Sequence, residues 1–177
     1  MASSIRQGND GRAVVQRSLD RILTTHAGSL YRPPELLELI NARVHGEPID
    51  EQKLAEELRH DVGEVVRKQA SCGIDIVDDG ELSKPSFADF VVDRLSGFEG
   101  ENPDPVFPNR RLDYPEYYAG QPGPAGLRRP LCVGPLAWKD RQALTTDIEN
   151  LRAAVEGAGV EEAFIPSPSP GIIAMRI

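Results

Sequence analysis

Apolar positions change period several times along this chain, and each change marks an expected element. Ile22 and Leu23 lie in Arg21–Ala27, which predicts a short buried strand ended by Gly28-Ser29. Proline is tolerated in a first helical turn, so Pro33-Pro34 should open a helix with Leu36, Leu37, Leu39 and Ile40 on its apolar side. After the loop His45-Gly46-Glu47-Pro48, Asp50 is a candidate N-cap for a longer helix. Leu54, Leu58, Val62, Val65, Val66 and Ala70 recur along it at three- and four-residue spacing, and Cys72-Gly73 should stop it with a left-handed glycine. Ile74–Val77 alternates as a strand does and runs into Asp78-Asp79-Gly80-Glu81. Ser86 and Asp89 resemble a capping box for a helix through Phe87, Phe90, Val91 and Leu95. Leu131-Cys132-Val133 predicts a third strand. Leu144, Ile148, Leu151 and Val155 predict a helix closing at Gly157–Gly159, and Glu162–Ile165 a fourth strand.

Strands that alternate with helices argue for an α/β fold with a parallel sheet. In each unit the polar, glycine- or proline-rich chemistry follows the strand. Parallel α/β folds place their sites there, at the carboxyl ends of strands. On this reading Thr24–Pro34, TTHAGSLYRPP, is a strand-to-helix loop at a pocket mouth. The pattern is compatible with an open doubly wound sheet or with a (β/α)8 barrel. A barrel takes roughly 200–250 residues, so four strands would make only its first half. Residues 1–18 lack apolar periodicity and are expected to be a flexible extension, leaving 19–177 as the folded part. Within it, residues 96–129 are rich in Pro and Gly and read as a long loop, a candidate lid given its aromatic residues.

Composition narrows the partners. A net charge of −8 over 177 residues, with Lys and Arg scattered, argues against nucleic acid and against an anionic membrane surface. No apolar run approaches the ~18–20 residues of a membrane span. The N-terminus has no continuous apolar core of the kind a secretory signal needs. Two cysteines far apart in sequence, Cys72 and Cys132, do not make a disulfide framework and suit a reducing cytoplasm. Both are expected to serve in packing.

The candidate chemistry lies in two loops. His26 either faces the pocket or hydrogen-bonds the loop backbone. Glu81 either binds substrate or stabilises the dipole of the helix after it. Asp79 braces its loop or contacts substrate. Lys84 is an anion contact or a solvated cation, and Trp138 a stacking platform or a packing residue. Asp78, Asp79 and Glu81 together form a carboxylate cluster, but without a phosphate-binding loop they make a weak Mg²⁺ site.

Three stretches taken together, TTHAGSLYRPPELL, GIDIVDDGELSKPSF and RRPLCVGPLAWKD, resemble the cobalamin-independent methionine synthase family. The likeness runs from about Arg21 onward and is to short members similar to the catalytic C-terminal domain. It implies a (β/α)8 barrel of the methionine synthase and uroporphyrinogen decarboxylase type, of which this chain holds the first half. It also implies methyl transfer from 5-methyltetrahydrofolate to a zinc-activated thiol such as homocysteine. Zinc lowers the pKa of a bound thiol, so the attacking thiolate is present at neutral pH. Related members alkylate other thiols with epoxides. By the resemblance, Ala27, Gly28 and Ser29 line the loop that holds the substrate's carboxylate, while His26 is a candidate substrate contact from its place at the strand end. Glu81, with Asp79 beside it, falls on the acid that holds the substrate's ammonium. The family's zinc ligands and general-acid histidine belong to the barrel's second half. Catalytic residues and metal ligands are therefore expected outside this chain, and a partner or self-association would be needed to complete the barrel. A second expectation from another class is an inactive, truncated half-barrel.

Overall fold

A computed structural model of the chain describes residues 17–86, 90–100, 113–119 and 130–174. Most of the expected flexible extension and part of the Ser86–Asp89 capping box lie outside these residues. The described residues form two compact units, one within Met1–Ser83 and Gln142–Ser167, the other within Lys84–Arg141 and Pro168–Ile177. The fold is mixed α/β with few strands. None of the described helices is long and apolar enough to cross a membrane.

The first unit opens with helix α1 (Pro34–Val44), which Pro33-Pro34 opens as expected, Pro33 standing at its N-cap. Helix α2 (Glu51–Ser71) follows, and its Asp50 cap accepts from the Lys53 amide at 3.0 Å. Gly73 beyond its end has φ 81°. Strand β1 (Ile76–Asp78) pairs in parallel with β4 (Glu162–Phe164), and Thr25 adds an isolated parallel bridge to Ile76 on the other side of β1. Helix α5 (Gln142–Val155) precedes β4, and α2 packs against both α1 and α5. The core is Leu36, Ile40, Leu54, Val62, Val66, Val77, Leu82 and Leu151. The apolar stripe of α2 thus does what its spacing predicts, with Asp61 and Gln69 as buried polar members. Gln69 is buried in the stripe and spans the end of β1. Its Nε2 donates to Asp78 O at 2.9 Å, and its Oε1 accepts from Asp78 N at 3.2 Å.

The second unit holds α3 (Phe90–Arg94), α4 (Pro115–Ala119), α6 (Pro170–Ala174) and an antiparallel pair, β2 (Phe98–Glu99) with β3 (Leu131–Cys132). Two short elements, β2 and α4, therefore lie in the stretch 96–129 that shows no pattern in the sequence.

Three expectations are corrected. Arg21–Ala27 is not a buried strand: it makes one bridge, and Ile22 is 84% exposed. Pairing with β1 satisfies main-chain groups only, and among the described residues no element packs over Ile22. Leu131–Cys132 is not a third parallel strand but half of the small antiparallel pair, so the parallel segments run Thr25, β1, β4 and do not close a barrel among the described residues. Cys72 and Cys132 are exposed rather than packed. Cys72 sits on the cap of α2, where no element covers it, and Cys132 lies in a two-residue strand open to solvent.

Asp75 ties Thr24 to the start of β1. Its carboxylate accepts from Thr24 N at 2.7 Å, from Thr24 Oγ1 at 2.9 Å and from Arg21 Nη2 at 2.6 Å. The Arg21 guanidinium foremost, then the Thr24 amide, hold this carboxyl well below the usual range. The folded state thus favours the ionised form. That contribution is complete above the ordinary aspartate pKa of about 3.9 and is lost as pH falls below it. Asp75→Asn is expected to lower stability at pH 7, with the difference from wild type shrinking as pH drops below about 4. Urea unfolding of both proteins across pH 3–7 checks this; a difference independent of pH would contradict it.

Candidate functional site

Parallel pairing of Thr25 with Ile76 puts the ends of two segments side by side. The loops that follow them, residues 26–32 and 78–82, therefore meet. Gly28, at φ 105°, turns the first loop in a way other residues rarely adopt. The second loop folds on its own aspartates. Asp78 Oδ1 accepts from Gly80 N at 2.7 Å and Asp79 Oδ1 from Glu81 N at 3.0 Å, two side-chain turns in succession. They drive Gly80 and Glu81 to φ 63° and 57°. Glu81 is the one described residue other than glycine with positive φ. Such a conformation costs a residue with a Cβ roughly 1–2 kcal/mol.

The first loop grips the second at four points. Leu30 N donates to Gly80 O at 2.9 Å, and Ser29 Oγ to Glu81 Oε2 at 2.5 Å. Arg32 Nη2 donates to Glu81 O at 2.6 Å, and its Nε to Leu82 O at 3.2 Å. The fit is close, since a Cβ on Gly80 would meet Leu30 Cβ at 3.1 Å.

Of the predicted residues, Ser29, Asp79 and Glu81 come together. Asp79 and Glu81 are buried, and Ser29 is exposed above them. His26 is half-buried and its Nε2 donates to Gly28 O at 2.9 Å, while Ala27 is exposed and Gly28 half-buried. Asp78 is wholly buried, and its Oδ2 has no hydrogen-bond partner among the described residues. Burial foremost raises its pKa, with the Asp79 and Glu81 carboxylates adding to the effect and the Gly80 amide and His26 opposing it. Arg32 is shifted down by burial, partly offset by the Glu81 and Asp79 carboxylates.

An open groove of about 720 Å³ lies between α2 and residues 26–33, with Leu30, Val65 and Ile74 among its walls. It includes His26 but not Ser29, Asp79 or Glu81, so the groove and the carboxylate cluster are lined by different predicted residues. Lys84 Nζ lies 5.6 Å from the centre of the Phe90 ring, and Trp138, half exposed, carries the Arg141 guanidinium 5.4 Å from its own ring centre. Among the described residues no three His, Cys, Asp or Glu side chains are arranged to hold a metal ion.

Two residues of the site escaped the sequence reading. Arg32 carried a signal, a lone cation between Tyr31 and Pro33 in a loop expected to face carboxylates. Gln69 carried another, a polar residue seven positions after Val62 in an apolar stripe.

No family model matches the chain. A curated relative does. A methionine synthase of Sulfolobus acidocaldarius aligns with it at 37% identity over 76 residues, which are 43% of this chain and 22% of that protein. The match therefore spans about a fifth of the relative's length, and what it carries is resemblance.

Proposed function

We propose that this protein is methionine-synthase-like and that its 26–32 and 78–82 loops hold the amino-acid end of a thiol substrate, homocysteine being the best fit. The observation that supports this most is the buried Glu81 carboxylate presented to Ser29 where two parallel segments end. A substrate ammonium would take over Glu81 Oε2. That would free the Ser29 hydroxyl to turn toward the substrate's carboxylate, beside the backbone of Gly28. Charge-assisted hydrogen bonds of this kind are about twice as strong as neutral ones.

In the reaction the family resemblance implies, the thiolate sulfur attacks the methyl carbon of 5-methyltetrahydrofolate. The carbon–nitrogen bond breaks, its electron pair stays on the folate nitrogen, and that nitrogen takes a proton. Zinc would make the thiolate, and among the described residues no group of His, Cys, Asp or Glu fits it. The chain's own part is to orient the substrate. In this proposal Thr25, β1 and β4 are strands of a (β/α)8 barrel whose other strands lie outside the described residues. Among the described residues the outer edge of Thr25 has no strand partner, which supports that reading, because an unpaired edge is a liability in water.

Calorimetric titration of the chain with L-homocysteine tests the proposal. Saturable binding is expected, on the order of millimolar in the absence of the rest of the barrel, about 4 kcal/mol. The analogue 4-mercaptobutanoic acid lacks the ammonium and is expected not to bind. Equal binding of both would overturn the role of Glu81.

A further inference from the structure

We propose that Arg32 is the positioning residue of this site: its guanidinium holds Glu81 in the left-handed conformation that presents the carboxylate to Ser29 and to a ligand's ammonium. The function of the pose rests on the amino-acid-binding reading above; the geometry does not.

The argument starts from the backbone. Consecutive carbonyls of an extended chain point to opposite sides. Here the carbonyls of Glu81 and Leu82 both accept from one guanidinium, at 2.6 and 3.2 Å. The backbone angles at Glu81, where φ is 57°, set its carbonyl relative to its amide, so a bond that fixes this carbonyl helps to fix that conformation. Glycine holds such a conformation freely, whereas glutamate needs outside support. The Asp79 side-chain turn supplies part of it by anchoring the Glu81 amide. Arg32 supplies the rest from the opposite loop, by anchoring the Glu81 carbonyl. Ser29 holds the carboxylate itself. Residue 81 is thus fixed at its amide, its carbonyl and its side chain, by three different residues. Arg32 reaches its place because Pro33 and Pro34 start α1 directly behind it and leave the loop little freedom.

A guanidinium rather than an ammonium is needed. Two carbonyls bound by two different nitrogens of one side chain call for a fork, and lysine offers a single point of charge. Arg32 bonds the main chain, so it leaves the Glu81 carboxylate available to a ligand. It does not touch the substrate in this scheme and is not a catalytic residue.

The test uses the full chain labelled with ¹⁵N and ¹³C. A left-handed residue has its amide proton close to its own α-proton, which gives a strong intraresidue cross-peak. Wild type is expected to show that peak at Glu81. Arg32→Met should lose it while the methyl shifts of Leu36, Val66 and Val77 stay in place, and affinity for L-homocysteine should fall at least tenfold. Arg32→Lys should recover part of both. If Arg32→Met does not fold, Arg32→Lys decides: a Glu81 peak and an affinity equal to wild type would overturn the need for a fork. A full-strength peak in a folded Arg32→Met overturns the proposal outright. If wild type shows the peak but does not bind L-homocysteine, the amino-acid reading fails and the Glu81 peak in the variants still decides the role of Arg32.

Discussion

Replacing Glu81 by glycine is expected to weaken L-homocysteine binding by about 30-fold or more and to raise the stability of the fold. The loss follows from the charge. Truncating one partner of a buried, hydrogen-bonded charge pair costs about 2–5 kcal/mol, and each 1.4 kcal/mol is a factor of ten. The gain has two sources. Glu81 sits at φ 57°, a conformation that costs a residue with a Cβ roughly 1–2 kcal/mol and glycine almost nothing. Its carboxylate is also buried beside those of Asp78 and Asp79, and like charges in one site repel. Against this, glycine gives the unfolded chain more freedom, worth about 0.5–1 kcal/mol. Ser29 loses a partner but is exposed and can turn to water. Arg32 bonds the main chain at residue 81 and keeps its bond. The net expectation is a gain of about 1 kcal/mol, from the difference between these opposing effects. Urea unfolding paired with calorimetry reads both quantities on the same samples. A variant that is both less stable and equally tight in binding would mean that Glu81 is a structural acid, not a ligand.

The second large effect is on stability alone. Gln69→Leu is expected to cost about 2–4 kcal/mol, since leaving a buried backbone donor or acceptor unsatisfied costs about 1–3 kcal/mol for each group. Gln69 is buried and its amide satisfies both the N–H and the carbonyl of Asp78, with a further bond at 3.3 Å from Nε2 to Val65 O in its own helix. Leucine fits the stripe of Val62, Val65 and Val66 by character but offers no polar atom. A pure packing argument would therefore predict a neutral or stabilising change. The hydrogen-bond argument predicts the opposite sign, and the amide of Asp78 should exchange with solvent much faster in the variant. Urea midpoints and amide exchange together decide it. A loss under about 0.5 kcal/mol, within the range of an ordinary surface change, would show that Asp78 finds other partners.

These two residues also show where the sequence was legible. Glu81 was visible because a carboxylate run follows an apolar alternation, and a loop after a parallel strand is where such folds put their chemistry. Its left-handed backbone was not visible, because it depends on Asp79 turning back onto the Glu81 amide and on Arg32 from a loop about fifty residues earlier. Gln69 looked like an interruption of a helix stripe. Its purpose appears only when α2 lies against the end of β1. The misplaced third strand has the same origin. Leu131-Cys132-Val133 has the apolar run of a core strand, yet it pairs with Phe98–Glu99, and no periodicity within three residues reports its partner.

By itself the sequence determined the local elements: where proline starts α1, where Asp50 caps α2, where Gly73 ends it, and which face of α2 is apolar. These follow from interactions within a few residues, which a linear pattern records. It also singled out the two polar loops as the candidate site. Only the tertiary structure decided that the loops interlock, that Glu81 is held in a strained conformation by Ser29, Asp79 and Arg32, and that Arg21–Ala27 stays largely uncovered. Those outcomes rest on contacts between residues far apart in the chain. Their energy comes from burial and hydrogen bonding in a particular packing, which the order of residues does not display.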